Sequence, residues 1–215
     1  MAAKWSYKQF LHRVKWSSLY RLRKQSWYHC VFFRNMRRRN SVKLHIGCGY
    51  NFLEGWINID KNKKVQADLY MDIQEIKHFC PENAVDEIMM IHVISYLRFW
   101  EALDFLQDCH RWLRDGGKIE IEVPDINKLA RKIISLGSLD NCTDYAAYLE
   151  CLRAVYAFGL EQITNKEHFE TYAFGWSAEH LALEMKKLGF SDIRILEPQC
   201  HDKLPWRDFR IEASK

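Results

Sequence analysis

Residues 43–60 read KLHIGCGYNFLEGWINID. A short aliphatic run, 42–46, enters a Gly47-Cys48-Gly49 turn, and a second run, 56–59, ends on Asp60. Strand, glycine turn, strand and terminal acid is the arrangement with which an open α/β sheet builds a nucleoside site. Gly47 and Gly49 permit a tight turn and a close approach of backbone to ligand. Asp60 is placed to accept hydrogen bonds from both hydroxyls of a ribose. No phosphate-loop lysine follows the glycines, and Phe52 stands where the third glycine of G-x-G-x-x-G would be. The pattern favours a nucleoside over a nucleotide phosphate.

Working outward, residues 67–73 alternate enough to form a third strand, with Asp72 near its end and able to accept from an exocyclic amine such as that of adenine. Residues 86–93 (DEIMMIHV) form an apolar run of the kind buried on both faces of a parallel sheet. The spacing of Phe99, Leu103, Leu106, His110 and Leu113 predicts a helix over 99–113, stopped by Asp115-Gly116-Gly117. A strand over 118–123 closes on Pro124-Asp125. Helices over 127–137, 143–160 and 178–188 flank an irregular, aromatic-rich stretch at 161–176, and strands at 191–196 and 209–213 finish the chain. Strand and helix alternation with short turns predicts an open α/β sheet with ligands bound beyond the strands' carboxyl ends. The residues at those ends are Gly47, Gly49, Asp60, Asp72, His92 and Asp125.

The 215 residues are 48% hydrophobic and 28% charged, which excludes wholesale disorder. Charge is unevenly spread. Residues 1–40 carry eleven Lys/Arg and no Asp or Glu, so this arm is strongly basic and the body, 41–215, is acidic. Leu11, Val14, Ser18 and Leu22 share a helical stripe with Trp5 and Phe10 close by. Such an arm suits packing on its own domain or an anionic membrane surface, and nucleic acid less well. No apolar run reaches the ~18 residues needed to span a bilayer, and the start lacks a secretion signal. Seven scattered cysteines without a C-x-x-C pair suit reduced thiols and a cytoplasmic setting.

Only residues 50–55 separate Gly49 from the second strand, and 61–66 separate that from the third. A parallel crossover normally takes a dozen residues or more, usually as a helix. Six residues reach about 20 Å, just enough to run back along a short strand. One sheet face therefore lacks its usual helices, and the arm, through Trp5, Leu11 and Val14, is the expected cover.

The motifs together resemble the class I S-adenosylmethionine-dependent methyltransferases. They are residues 43–60, Ala67-Asp68 with Met71-Asp72-Ile73, NAVDEI at 83–88, His92-Val93-Ile94, RWLRDGG at 111–117, EVPD at 122–125, Leu188-Gly189-Phe190 and WRDFRIEA at 206–213. More narrowly, the chain looks like small methyltransferases of bacterial surface-polysaccharide clusters. The resemblance implies a Rossmann-like, mostly parallel seven-stranded sheet with an antiparallel last strand. It implies S-adenosylmethionine as cofactor, contacted by Gly47, Cys48 and Gly49, with Asp60 on the ribose and Asp72 near the adenine. It places His92 between cofactor and acceptor. Two departures stand out. Ser95 and Tyr96 replace the Glu-His pair usual in the subgroup, and His45 stands where many class I enzymes carry an acid.

Methyl transfer is an in-line displacement with a good leaving group, so proximity and alignment dominate. An alcohol acceptor also needs a general base. The candidates are His92, at a strand end, His168, in the irregular segment, and Asp125, which is equally suited to cap the helix after it. Ser95 and Tyr96 fall where substrate would be oriented, and Tyr96, Tyr156, Tyr172 and Trp176 suit an aromatic wall for a sugar ring. The leading expectation is O-methylation of a sugar hydroxyl on a glycan or its precursor, with no metal. RNA methylation and a non-catalytic cofactor-binding scaffold are the alternatives.

Overall fold

The structure, a computed structural model, describes residues 26–34, 41–137, 144–157, 171–199 and 204–215. Helix α1 (Ser26–Arg34) precedes β1 (Lys43–Ile46), β2 (Ile57–Asp60), β3 (Leu69–Tyr70) and β4 (Val85–Ile91). Then come α2 (Phe99–Trp112), β5 (Leu113–Pro124), α3 (Ile126–Ser135), α4 (Tyr145–Tyr156), α5 (Ala178–Lys187), β6 (Ser191–Leu196) and β7 (Asp208–Ser214). The seven strands lie in the order β3-β2-β1-β4-β5-β7-β6. β7 runs antiparallel to both its neighbours and the other six strands are mutually parallel, giving a Rossmann-like sheet. The order reverses between β1 and β4, which sets the ligand crevice at their carboxyl ends.

One face is apolar. Leu44, Ile46, Ile57, Ile59, Ile88, Met90, Ile119, Ile121 and Ile211 are buried on it beneath Phe105, Leu106 and Trp112 of α2 and Leu181 and Met185 of α5. Helix α1 joins this same core: Phe33 is fully buried, and its ring lies 6.3 Å from that of Phe79. The arm's described part therefore covers the helical face and not the bare one. Trp5, Leu11 and Val14 lie outside the described residues.

The connections 47–56 and 61–68 contain no helix, as their length requires. The face they leave bare is polar. Lys43 pairs with Glu87 at 2.7 Å, Arg194 with Glu212 at 2.6 Å, and Arg210 with Glu120 and Glu212 at 3.4 and 3.1 Å. Such half-wet pairs contribute at most about 1 kcal/mol each, so their main effect is a face compatible with water. An open groove of about 540 Å³ runs over it, lined by Trp56, Glu87, Lys118, Glu120, Arg194 and Glu212. Asn58 does a crossover helix's work on the loop before β2. Its amide accepts from Leu53 N–H at 2.9 Å and donates to Leu53 O and Trp56 O at 2.9 and 3.1 Å.

Three local expectations change. The third strand shrinks to Leu69–Tyr70 because acids at both ends take backbone bonds. Asp68 Oδ2 accepts from Asn58 N–H, and Asp72 caps a 3-10 turn, Ile73–His78. Helix α2 stops at Trp112, before the glycines. Gly116 (φ +76°) and Gly117 instead form an irregularity inside β5, where a Cβ on Gly117 would meet Arg114 O at 2.8 Å. β4 is not buried on both faces throughout: Glu87 and Met89 line the groove on the bare side, while Ile91 at its end is buried.

Candidate active site

β1 delivers the chain into the Gly47-Cys48-Gly49 turn. Gly47 and Cys48 N–H both donate to Ile59 O, at 2.8 and 3.1 Å, fastening the turn to β2. Gly49 has φ +52°, and a Cβ there would project into open space. Its N–H donates to Asp60 Oδ2 at 2.8 Å, while Asn62 N–H donates to Oδ1 at 2.7 Å. A carboxylate oxygen can accept more than once. Asp60 is therefore held by two amides and still has acceptor sites on both oxygens.

The Cys48 side chain turns into a small cluster with Ala67 and Tyr70, where Sγ–H donates to Gln66 O. Burial, reinforced by the charges of Asp60 and Asp68, pushes the thiol up to about 12. Any contact of Cys48 with a ligand in the crevice falls to its backbone. Asp72 accepts from Gln74 N–H at 3.0 Å and lies 3.8 Å from Lys61 Nζ, on the far rim of the same crevice beyond β3.

His92 follows β4. It holds the left-handed conformation (φ +56°), uncommon for a residue with a side chain, and its N–H donates to Glu122 O at 2.7 Å. Its Nε2 lies 3.2 Å from Asp208 Oδ2. Asp208 opens β7, opposite Pro124 of β5, with its side chain 1% exposed. Arg207 grips it from the other side: Nε donates to Oδ1 at 2.8 Å and Nη2 to Oδ2 at 2.7 Å. Burial raises the pKa of Asp208, but the hydrogen bonds and charges of His92 and Arg207 together outweigh it, and the net shift is downward. Glu122, fully buried on β5, accepts from Gln199 N–H at 2.9 Å. Ligand atoms of His92, Glu122 and Asp208 lie within 4.8 Å of one another, so these are the described residues able to share a metal ion.

Tyr172 and Tyr96 roof this corner, their rings edge to face at 4.8 Å. Burial, then the charges of Tyr96 and Asp208, raise the Tyr172 hydroxyl above its ordinary range. Ser95 positions the roof: its carbonyl accepts from Ala173 and Phe174 N–H at 2.8 and 3.2 Å.

No protein-family model and no curated protein matches the chain. Solved structures do. A SAM-dependent methyltransferase from Archaeoglobus fulgidus superposes with a TM-score of 0.55 at 16% identity, over 98% of this chain and 100% of that one. A SAM-dependent methyltransferase from Methanosarcina mazei gives 0.55 at 14% identity, over 86% and 96%. One from Mesorhizobium loti gives 0.52 at 12% identity, again over 86% and 96%. These superpositions take in most of the seven-stranded sheet's chain and nearly the whole of each neighbour. This is the class I methyltransferase fold.

Within the methyltransferase fold, Gly47, Gly49, Asp60, Asp72 and His92 all stand at carboxyl ends of strands, along one edge of the sheet. Ser95, Tyr96 and Tyr172 join His92 there, and Tyr156 reaches the group through its carbonyl, which accepts from Tyr172 N–H at 3.3 Å. Asp125 takes the capping role of its two expected ones: it is 4% exposed, and its Oδ1 caps α3 by accepting from Asn127 and Lys128 N–H. Trp176 is fully buried against Phe99, Phe174 and His180, and is core instead of an accessible wall. His168 lies outside the described residues. Asp208, Arg207 and Glu122 escape a reading of spacing alone. Their signals were the WRDFRIEA stretch, which holds Arg207 and Asp208, and EVPD, which opens on Glu122.

Proposed function

We propose that the chain is an S-adenosylmethionine-dependent methyltransferase that O-methylates a sugar hydroxyl of a glycan or glycan precursor. The observation that carries the cofactor half is the clamp of Gly49 and Asn62 amides on Asp60. It presents a fixed carboxylate with spare acceptor sites beside an open glycine, a surface suited to the two hydroxyls of a ribose. The fold argues in the same direction, since its strand-end crevice is where such ligands bind. Bound there, the cofactor supplies a methyl group on a positively charged sulfur.

The chain's own residues supply the rest. Gly47, Gly49 and Asp60 hold the nucleoside end, and Asp72 stands at the rim toward the base. His92, exposed on about a fifth of its side chain, is the imidazole available to take a hydroxyl proton near neutral pH. Tyr96, 40% exposed over Tyr172, offers an aromatic face of the kind that pairs with a sugar ring. The subgroup resemblance supports a glycan acceptor.

Transfer of a labelled methyl group from S-adenosylmethionine to glycan fractions, with and without the protein, tests this reading. Label in a sugar that gains one methylene's mass supports it. Cofactor turnover with label only in RNA or protein would replace the acceptor, and no binding of cofactor would remove the enzyme.

A further inference from the structure

We infer that Asp208, braced by Arg207, is a positioning residue that fixes His92 as the Nε2–H tautomer and leaves Nδ1 as the proton acceptor of the site. The inference rests on the methyltransferase reading only for the use to which that acceptor is put.

Donors and acceptors around Asp208 decide the tautomer. Asp208 has Arg207 N–H groups on both oxygens, a geometry that only a carboxylate acceptor satisfies. An ionised carboxylate cannot donate, so the 3.2 Å contact requires the hydrogen on His92 Nε2. A neutral imidazole carries one ring hydrogen, so Nδ1 then carries none and keeps its lone pair. Asp208 is also in place to balance the imidazolium that forms when Nδ1 takes a proton. The proton leaving the acceptor hydroxyl ends on Nδ1. The oxygen's electron pair forms the new bond to the methyl carbon, and the old carbon–sulfur pair stays on sulfur.

The backbone conforms to this role. His92 accepts the cost of φ +56°, of order 1–3 kcal/mol, and its N–H is tied to Glu122 O. Strained conformations of this kind persist where surrounding structure dictates a side chain's direction. Arg207 is held in turn: its carbonyl accepts from Asp125 N–H, and Lys128 Nζ donates to Pro205 O and Asp208 O at 2.8 Å. The cap of α3 and the start of β7 thus form one frame around the Asp208 carboxylate.

The same three groups, His92, Glu122 and Asp208, are near enough to share a divalent cation. A cation there would need the Nε2 lone pair and an Asp208 oxygen, and would sit against the Arg207 guanidinium. That charge opposes a metal and favours the hydrogen-bonded pair.

Imidazole nitrogen NMR on the full chain at mildly alkaline pH tests this without cofactor or acceptor, with His92→Gln used to assign the His92 signals. The expected result is the Nε2–H tautomer for His92 in the wild type, lost or mixed in Asp208→Asn. A wild-type Nδ1–H tautomer overturns the proposal, as does an unchanged tautomer in Asp208→Asn. Site-specific broadening of the His92 ring by stoichiometric Mn²⁺ overturns it too. Should Asp208→Asn not fold, the wild-type tautomer and the Mn²⁺ arm still decide. With an acceptor in hand, Asp208→Asn lowers kcat by about a hundredfold or more with acceptor KM little changed. Failure of the wild type to bind S-adenosylmethionine would sink the methyltransferase reading and leave the tautomer result standing.

Discussion

Gly47 lies directly against Val93: a Cβ on Gly47 would stand 2.3 Å from Val93 Cγ2, and the residue's φ is +66°. The turn after β1 and the start of the segment after β4 are thus packed backbone to side chain, which brings Asp60 and His92 to one crevice. Gly47→Ala adds a clash to a left-handed strain and is expected to cost about 3 kcal/mol of stability. Gly49→Ala carries only the strain, about 1 kcal/mol, but puts a methyl group into the crevice. Urea unfolding with a parallel cofactor titration separates the two. Gly47→Ala loses stability first and Gly49→Ala loses affinity first.

Asp208 ties stability to acid pH. Its folded value is depressed by His92 and Arg207, so its contribution is fully present above the ordinary aspartate range. It is lost as pH falls through that range toward the lower folded value. Urea midpoints followed downward from neutral pH should fall more steeply in the wild type than in Asp208→Asn, which has no such carboxylate to protonate. Parallel curves would contradict the depressed value.

Cys48 sits in the turn beside Asp60, yet its thiol is pushed up to about 12, by burial first and then by Asp60 and Asp68. Thiolate is the reactive form. Mass-mapped alkylation of the native protein at mildly alkaline pH should label the exposed Cys30 well before Cys48. Equal rates would show that the Cys48 cluster with Ala67 and Tyr70 opens readily.

Arg194 is 62% exposed, so Arg194→Ala should change stability by less than about 1 kcal/mol despite its 2.6 Å pair with Glu212. Thermal denaturation checks this, and a larger loss would mean that the cross-strand pairs hold β6 in place.

What sequence showed and hid follows from distance along the chain. The Gly47–Asp60 unit is local, and every group in it lies within fourteen positions, so turn chemistry and strand periodicity reveal it. Missing crossover helices are equally a matter of counting residues. The polarity of the bare face was also written in KIEIEV and DFRIEA, where charge alternates with aliphatic residues. It emerges only once β5 and β7 are known to pair, because alternation has no meaning until the two faces are assigned. The His92 and Asp208 contact spans 116 positions and depends on β7 entering antiparallel beside β5. No local pattern carries that information. Asp125 and Trp176 were ambiguous for the opposite reason. Their positions after a strand and in an aromatic stretch suit a site, but capping and core packing use the same residue types.

The central claim is that the Asp60 clamp holds the nucleoside of S-adenosylmethionine. Calorimetric titration of the full chain with S-adenosylmethionine and its demethylated product, for wild type and Asp60→Ala, tests it most directly. The account predicts saturable binding of both ligands by the wild type. It predicts affinity lower by roughly ten- to a hundredfold in Asp60→Ala, from the loss of charged hydrogen bonds of about 1.5–3 kcal/mol, with the variant still folded. No heat from either ligand with folded wild type, or equal affinity in the two proteins, would contradict it.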